Sequence, residues 1–169
     1  MFETSYLISK YDREQEGGPM SESTIKIRLM KADDFDAVVG IDGKVLKASR
    51  PEYYEMKFEK ILKSKDYLPV SLVAEEEDGT VVGFVIGELY MGQYGIFQEA
   101  ATLDTIGVDP YYQHKGIGEQ LINEFVDHLR KVGVQKISTL VDWNDSKLIH
   151  FFSANQFSPS KTINLERSL

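Results

Sequence analysis

The segment Gln113-His114-Lys115-Gly116-Ile117-Gly118 constrains this chain more than any other. It follows a β-like run ending Ile106-Gly107-Val108-Asp109-Pro110 and opens a long amphipathic helix. A strand feeding a glycine-rich loop and then a helix N-terminus gathers backbone N–H groups where the helix dipole is positive, which suits a diphosphate. The glycines let the backbone approach an anion with no Cβ in the way. Two spaced glycines alone specify little, and the flanking strand and helix give them meaning.

The rest of the chain supplies that frame. Residues 1–23 are polar, contain Gly17-Gly18-Pro19, and read as a flexible N-terminal extension; residues 24–169 read as one domain. Thr24–Leu29 alternates Ile25, Ile27 and Leu29 against Lys26 and Arg28, the pattern of a half-buried strand. Asp33 or Asp34 suits the start of a helix carrying Phe35, Val38, Val39 and Ile41. Ser49-Arg50-Pro51-Glu52 has capping-box form and precedes a helix with Tyr54, Phe58, Ile61 and Leu62 on one face. Strands at Ser71–Glu75 and Val81–Glu88 flank Asp78-Gly79, a hairpin signal. Gly92 and Gly95 mark a loop before a strand at Ala101–Val108. The helix from Gly116 spaces Ile117, Leu121, Phe125 and Leu129 by four and ends near Gly133. A strand at Lys136–Asp142, a short helix at Ser146–Ala154 and an edge strand at Thr162–Glu166 complete the order βααβββαβαβ. This is an α/β layered chain whose mixed, mostly antiparallel sheet carries helices on both faces.

Composition narrows the partners. The 169 residues are enough for one domain with a substantial core. No apolar run approaches the roughly 20 residues that span a bilayer, and Met1–Met20 has no signal-peptide apolar stretch. The net charge of −8 disfavours nucleic acid and anionic membranes and leans towards a cationic partner, although a solvated acidic surface accounts for it equally. Absence of cysteine excludes disulfides and a cysteine nucleophile, and fits a cytoplasmic protein. The three histidines are scattered without carboxylate spacing, so no metal site is expected.

The run "DTIGVDPYYQHKGIG" and the later "LVDWND" before a short helix resemble the GNAT superfamily of acetyl-CoA-dependent N-acetyltransferases over about residues 24–167. Gln113, Gly116 and Gly118 fill its phosphate-loop pattern: Gln or Arg, two variable residues, Gly, one variable residue, then Gly or Ala. The resemblance implies that two parallel strands, here Ala101–Val108 and Lys136–Asp142, splay apart and receive the pantetheine arm as an added strand. Ile106 and Val108 would offer backbone groups to that arm, with an amide near Ile106 polarising the thioester carbonyl. Gly107 would sit at a bulge of this strand. The amides of Gln113, His114, Lys115, Gly116, Ile117, Gly118 and Glu119 would hold the diphosphate, Lys115 would add charge, and Asn144 would bond the cofactor arm. The His114 side chain reads more readily as a variable, solvent-facing loop residue than as a diphosphate contact, and Phe151 and Phe152 as packing either the cofactor or the core.

The reaction so implied is direct attack of a primary amine on acetyl-CoA in a ternary complex, without a metal. The amine belongs to a small molecule or to a protein. Such an amine must lose a proton, and the departing thiolate benefits from an acid. Alternation along the strand puts Thr102, Asp104 and Ile106 on one face, which makes Asp104 the preferred base, acting through water. Its plainer reading is a residue that orders a loop or binds the amine's charge. Glu99 is the second candidate. The family's usual acid, a tyrosine on the helix after the fifth strand, aligns here with Phe152, which has no proton to give. That departure sustains a rival reading, a non-catalytic acyl-CoA-binding module. A Rossmann-type dinucleotide binder fits worse, because the third spaced glycine is missing and the hairpin is out of place. Arg50, Tyr53, Asp42, Tyr90, Gln98 and Trp143 border the regions where an acceptor amine would lie, whereas water, Tyr111, Tyr112 or His150 would stand in for the missing acid, His150 reading more simply as a surface histidine. By analogy, Thr162–Leu169 or a sheet edge would serve a homodimer.

Overall fold

The computed structural model describes residues 24–63, 69–91 and 99–168; the proposed extension at 1–23 and the loop at Gly92–Gln98 lie outside them. Among the described residues five strands and four α-helices follow in chain order: β1 (Lys26–Leu29), α1 (Phe35–Leu46), α2 (Pro51–Lys63), β2 (Leu72–Glu75), β3 (Val81–Met91), β4 (Glu99–Val108), α3 (Ile117–Lys131), β5 (Lys136–Ser138) and α4 (Ser146–Ala154). The sheet runs β1-β2-β3-β4-β5, antiparallel at every step except the parallel β4–β5 pair.

Each sheet face is apolar for its own helices. On one side Leu72, Val85, Ala101 and Leu103 pack with Ile117, Leu121, Phe125 and Leu129 of α3 and Phe152 of α4. On the other side Val73, Phe84 and Ile86 pack with Val38 and Ile41 of α1 and Tyr54, Phe58 and Ile61 of α2. The four-residue spacing along α3 is thus a single buried stripe. Gly133 ends this helix region at φ +90°, a left-handed conformation that glycine takes without a Cβ penalty. Pro51 is the first residue of α2, where a missing N–H costs nothing.

Three local expectations are corrected. Thr162–Glu166 alternates like a strand but pairs with nothing among the described residues, and Ile163 and Leu165 stand exposed. The fifth strand is only Lys136–Ser138, because pairing to β4 stops there. The bulge in β4 lies not at Gly107 but at Asp104: Ile86 faces Thr105 and Gly87 faces Leu103, so Asp104 is the residue without an opposite number. Gly107 is in register with Phe84, and its lack of a side chain has a packing cause, since a Cβ there would lie 2.7 Å from that ring.

Candidate active site

The β4–β5 pair sets the site. Its register covers only Ala100↔Lys136, Ala101↔Ile137 and Thr102↔Ser138, after which β4 continues alone to Val108. The Asp109 N–H donates to the Val82 carbonyl on β3 at 2.9 Å. Backbone direction alternates along a strand, so Val108 and Ile106 turn their N–H and C=O groups the other way, into the gap that β5 leaves. The Gln113 side chain confirms that direction at one end by donating to the Val108 carbonyl at 2.9 Å. An extended chain laid in this gap meets strand-like hydrogen-bonding groups on its β4 side.

The gap runs to the N-terminus of α3. Asp109, largely buried, begins a turn of 3-10 helix over Pro110–Tyr112 by accepting from the Tyr111 N–H at 3.0 Å and from Lys44 Nζ at 2.6 Å. Burial pushes the Asp109 carboxyl up, but these two donors outweigh it and hold the group below its ordinary value. His114 at φ +62° and Gly116 at φ +80° then turn the chain into the helix. The Gln120 N–H, bonded to the Gly116 carbonyl at 3.0 Å, is the first to find a helical acceptor. The preceding N–H groups of Ile117, Gly118 and Glu119 are the orphan donors of a helix start, beside the exposed His114 and Lys115. Lys115 rests its ammonium 4.9 Å from the centre of the Tyr112 ring. A Cβ at Gly118 would stand 3.2 Å from the Phe151 ring, so the glycine leaves this mouth open to both the ring and an anion. Free donors at a helix start suit an anionic group.

Phe151 and Phe152 fall in different surroundings. Phe151 is half-buried against Gly118, at the edge of the loop. Phe152 is 5% exposed and packs with Phe157, ring centres 5.1 Å apart, within the core beneath α3. Asn144 is exposed in the turn before α4, its N–H held by the Asp142 carboxylate at 2.8 Å. Trp143 and His150 are exposed as well. Glu99 opens β4 opposite Met91, five residues and about 17 Å along the strand from Asp104; its side chain lies outside the described part.

The bulge reorganises the face on which Asp104 stands. Thr102, Asp104 and Ile106 do not share one side: Ile106 packs with the α3 cluster, whereas Asp104 and Thr105 both turn to α2. The Tyr53 hydroxyl donates to Asp104 Oδ2 at 2.5 Å and lies 3.2 Å from Thr105 Oγ1. Lys57 Nζ lies 3.1 Å from the same Oδ2 and 2.8 Å from Glu88 Oε1 on β3. Glu88 is 1% exposed, and its Oε2 takes Lys60 at 2.8 Å. Burial, then the neighbouring Asp104, pushes the Tyr53 phenol above its ordinary value, so it stays protonated and remains a donor. Behind it, Arg50 grips Asp42 at 2.8 and 2.9 Å and stacks on the Tyr53 ring at 4.5 Å. Lys57 and Glu88 escaped the sequence reading. The available signals were a single Glu inside an otherwise apolar strand and the Tyr53, Lys57, Lys60 spacing on one side of α2.

Among the described residues, no cluster of His, Asp and Glu is placed to hold a metal ion, and no helix is long and apolar enough to cross a membrane.

Comparison with known proteins agrees with this geometry. The sequence model of the acetyltransferase (GNAT) family matches residues 38–157. A mycothiol acetyltransferase of Propionibacterium freudenreichii subsp. shermanii is 29% identical over 102 residues, 54% of this chain and 28% of that protein. The chain therefore spans little more than a quarter of that relative's length. An aminoglycoside N-acetyltransferase solved with CoA superposes with a TM-score of 0.72 at 16% identity, over 88% of this chain and 97% of the other. The ribosomal-protein-S18-alanine N-acetyltransferase of Escherichia coli gives 0.66 at 21% identity, over 82% and 80%. With a family match over most of its length, a splayed β4–β5 pair and a glycine-turned helix start, the chain belongs to the GNAT acetyltransferase family.

Proposed function

We propose that this protein transfers the acetyl group of acetyl-CoA to a primary amine by direct attack within a ternary complex. The observation that carries the reading is the end of β4–β5 pairing at Thr102↔Ser138, which leaves the Ile106 and Val108 backbone facing an open gap that ends at the α3 N-terminus. In this reading the amides of Gln113–Glu119 bind the diphosphate, with His114 and Lys115 at the rim. The Ile106 and Val108 backbone and the Asn144 side chain hold the pantetheine arm, Gly107 and Phe151 shape its walls, and Phe152 supports that wall from the core.

Asp104 receives the amine's proton through water. Among the described residues its donors, Tyr53, Lys57 and Thr105, all meet Oδ2, which leaves Oδ1 for the acceptor side. The C–N bond forms, the C–S bond breaks, and the proton held by Asp104 returns through water to the departing thiolate. Glu99 is the second candidate for that proton, at the far end of the strand. The acceptor is a small-molecule or protein amine: the relatives span both, an aminoglycoside for one and a ribosomal-protein alanine for another.

The test is release of free thiol from acetyl-CoA over spermidine, cadaverine, glucosamine, kanamycin and a peptide with an N-terminal alanine. Turnover with one of these amines, abolished by omitting it, is the expected result. Phe152 favours a second reading, since a phenylalanine at the position of the family's usual acid has no proton to give the departing thiolate. Saturable CoA binding without turnover on every amine would identify a binding module instead.

A further inference from the structure

We infer that Lys57, fixed in place by the buried Glu88, is the positioning residue for the Asp104 carboxylate; this rests on the reading that Asp104 receives the amine's proton. The argument begins with what Glu88 costs. It stands on β3 in an apolar strand, 1% exposed, where a carboxylate is retained only if its partners are close and well placed. Both of its oxygens are used, Oε1 by Lys57 and Oε2 by Lys60, each at 2.8 Å. An apolar residue at this position would pack without that cost, which directs attention to what Lys57 touches next.

Lys57 touches Asp104, at 3.1 Å. Asp104 is the unmatched residue of the β4 bulge, and its side chain is 26% exposed. A carboxylate at such a place has free χ angles unless something holds it. Three donors converge on one oxygen: Tyr53, Lys57 and, at 3.3 Å, the Thr105 hydroxyl. Lys57 is tied in turn to the Glu88 carboxylate buried in the sheet, while Tyr53 also meets the Thr105 hydroxyl of β4 at 3.2 Å. Glu88 sets the ammonium, the ammonium sets Oδ2, and Oδ1 is thereby aimed away from α2. Lys57 is only 19% exposed, which limits its own rotamers, and the Tyr53 ring lies 5.5 Å from its ammonium. The arrangement keeps a proton acceptor oriented before the substrate arrives, where a displacement of about 1 Å costs on the order of 100-fold in rate.

The plainer alternative is that Lys57 only neutralises Glu88 for folding, and kinetics separate the two. Thiol release is followed with whichever panel amine turns over fastest, for wild type, Lys57→Met, Lys57→Arg, Lys60→Met, Asp104→Asn and the Lys57→Met/Asp104→Asn double variant. Positioning predicts that Lys57→Met lowers kcat about 10- to 100-fold while KM for acetyl-CoA stays within about twofold. Lys57→Arg restores most of the rate, and the double variant is no slower than Asp104→Asn alone. Lys60→Met, which takes a partner from the same Glu88, keeps its kcat.

Three outcomes overturn the inference: wild-type kcat in Lys57→Met, an equal loss in Lys60→Met, or losses that multiply in the double variant. Should Asp104→Asn itself turn over at the wild-type rate, the base assignment fails and the positioning role fails with it. That result differs visibly from an active Lys57→Met beside an inactive Asp104→Asn.

Discussion

Gly87 stands opposite the β4 bulge, paired with Leu103, and the cost of filling it follows from the packing. A Cβ added there would lie 2.3 and 2.4 Å from two atoms of the Phe125 ring and 3.2 Å from the Thr102 carbonyl oxygen. Ordinary van der Waals contact needs about 3.5 Å or more, so the ring must retreat by about 1 Å. Phe125 is fully buried in the α3 cluster, so its retreat presses on neighbouring core side chains. Inserting a methyl group into such a core costs typically 1–3 kcal/mol, and a clash with a pinned ring belongs at the upper end, about 3 kcal/mol. For a chain of this size that lowers Tm by about 6–12 °C. Urea melts of Gly87→Ala followed by far-UV circular dichroism give the number, because the sole tryptophan, Trp143, is too exposed to report on the core. The cause is isolated by Phe125→Leu: the double variant should recover at least about 1 kcal/mol relative to the sum of the single losses. A Gly87→Ala midpoint equal to wild type, or strictly additive losses, would refute the packing argument and the register of the bulge with it.

Other expectations follow from the same structure. Gly116→Ala places a Cβ at φ +80° with nothing within 4 Å, so its penalty of about 1–2 kcal/mol is conformational and falls on the loop; calorimetry should show CoA binding weakened about tenfold. Phe152→Tyr puts a hydroxyl into an apolar ring cluster, which should cost about 1–3 kcal/mol in a urea melt and leave turnover unraised; a large gain in turnover would mean that the phenol reaches the thiol. Burial raises the Asp34 carboxyl, but the Arg28 guanidinium at 2.8 Å and the Lys31 amide at 2.7 Å outweigh it and leave the group below its ordinary value. A depressed carboxyl stabilises the fold above its unfolded value near pH 4 and loses that contribution as pH falls further. The urea midpoint of wild type should therefore drop between pH 5 and 3, and Asp34→Asn should flatten that slope.

Local features were legible in the sequence. The Gly116–Gly118 turn, the α3 stripe and the Asp78-Gly79 hairpin are each set within a few residues, and each stands where the pattern placed it. Features that depend on two distant segments were not. The bulge exists only as a mismatch of counts between β3 and β4, and no residue type in β4 announces it. Alternation counted through Asp104 therefore put Ile106 on the wrong side. The partners of Asp104 come from α2, 47 and 51 positions earlier, with only helical spacing to group them. Thr162–Glu166 fails for the opposite reason, since it has the alternation of a strand and no pairing neighbour among the described residues. Gly107 and Gly118 were legible as positions without a Cβ, but the rings that require it, Phe84 and Phe151, come from elsewhere in the chain.

Isothermal titration with CoA tests the central claim, that an open β4 edge leading into a helix start receives this carrier. The account predicts saturable one-to-one heat that weakens in Gly116→Ala. A flat titration, from protein whose circular dichroism and cooperative melt show it folded, would contradict it.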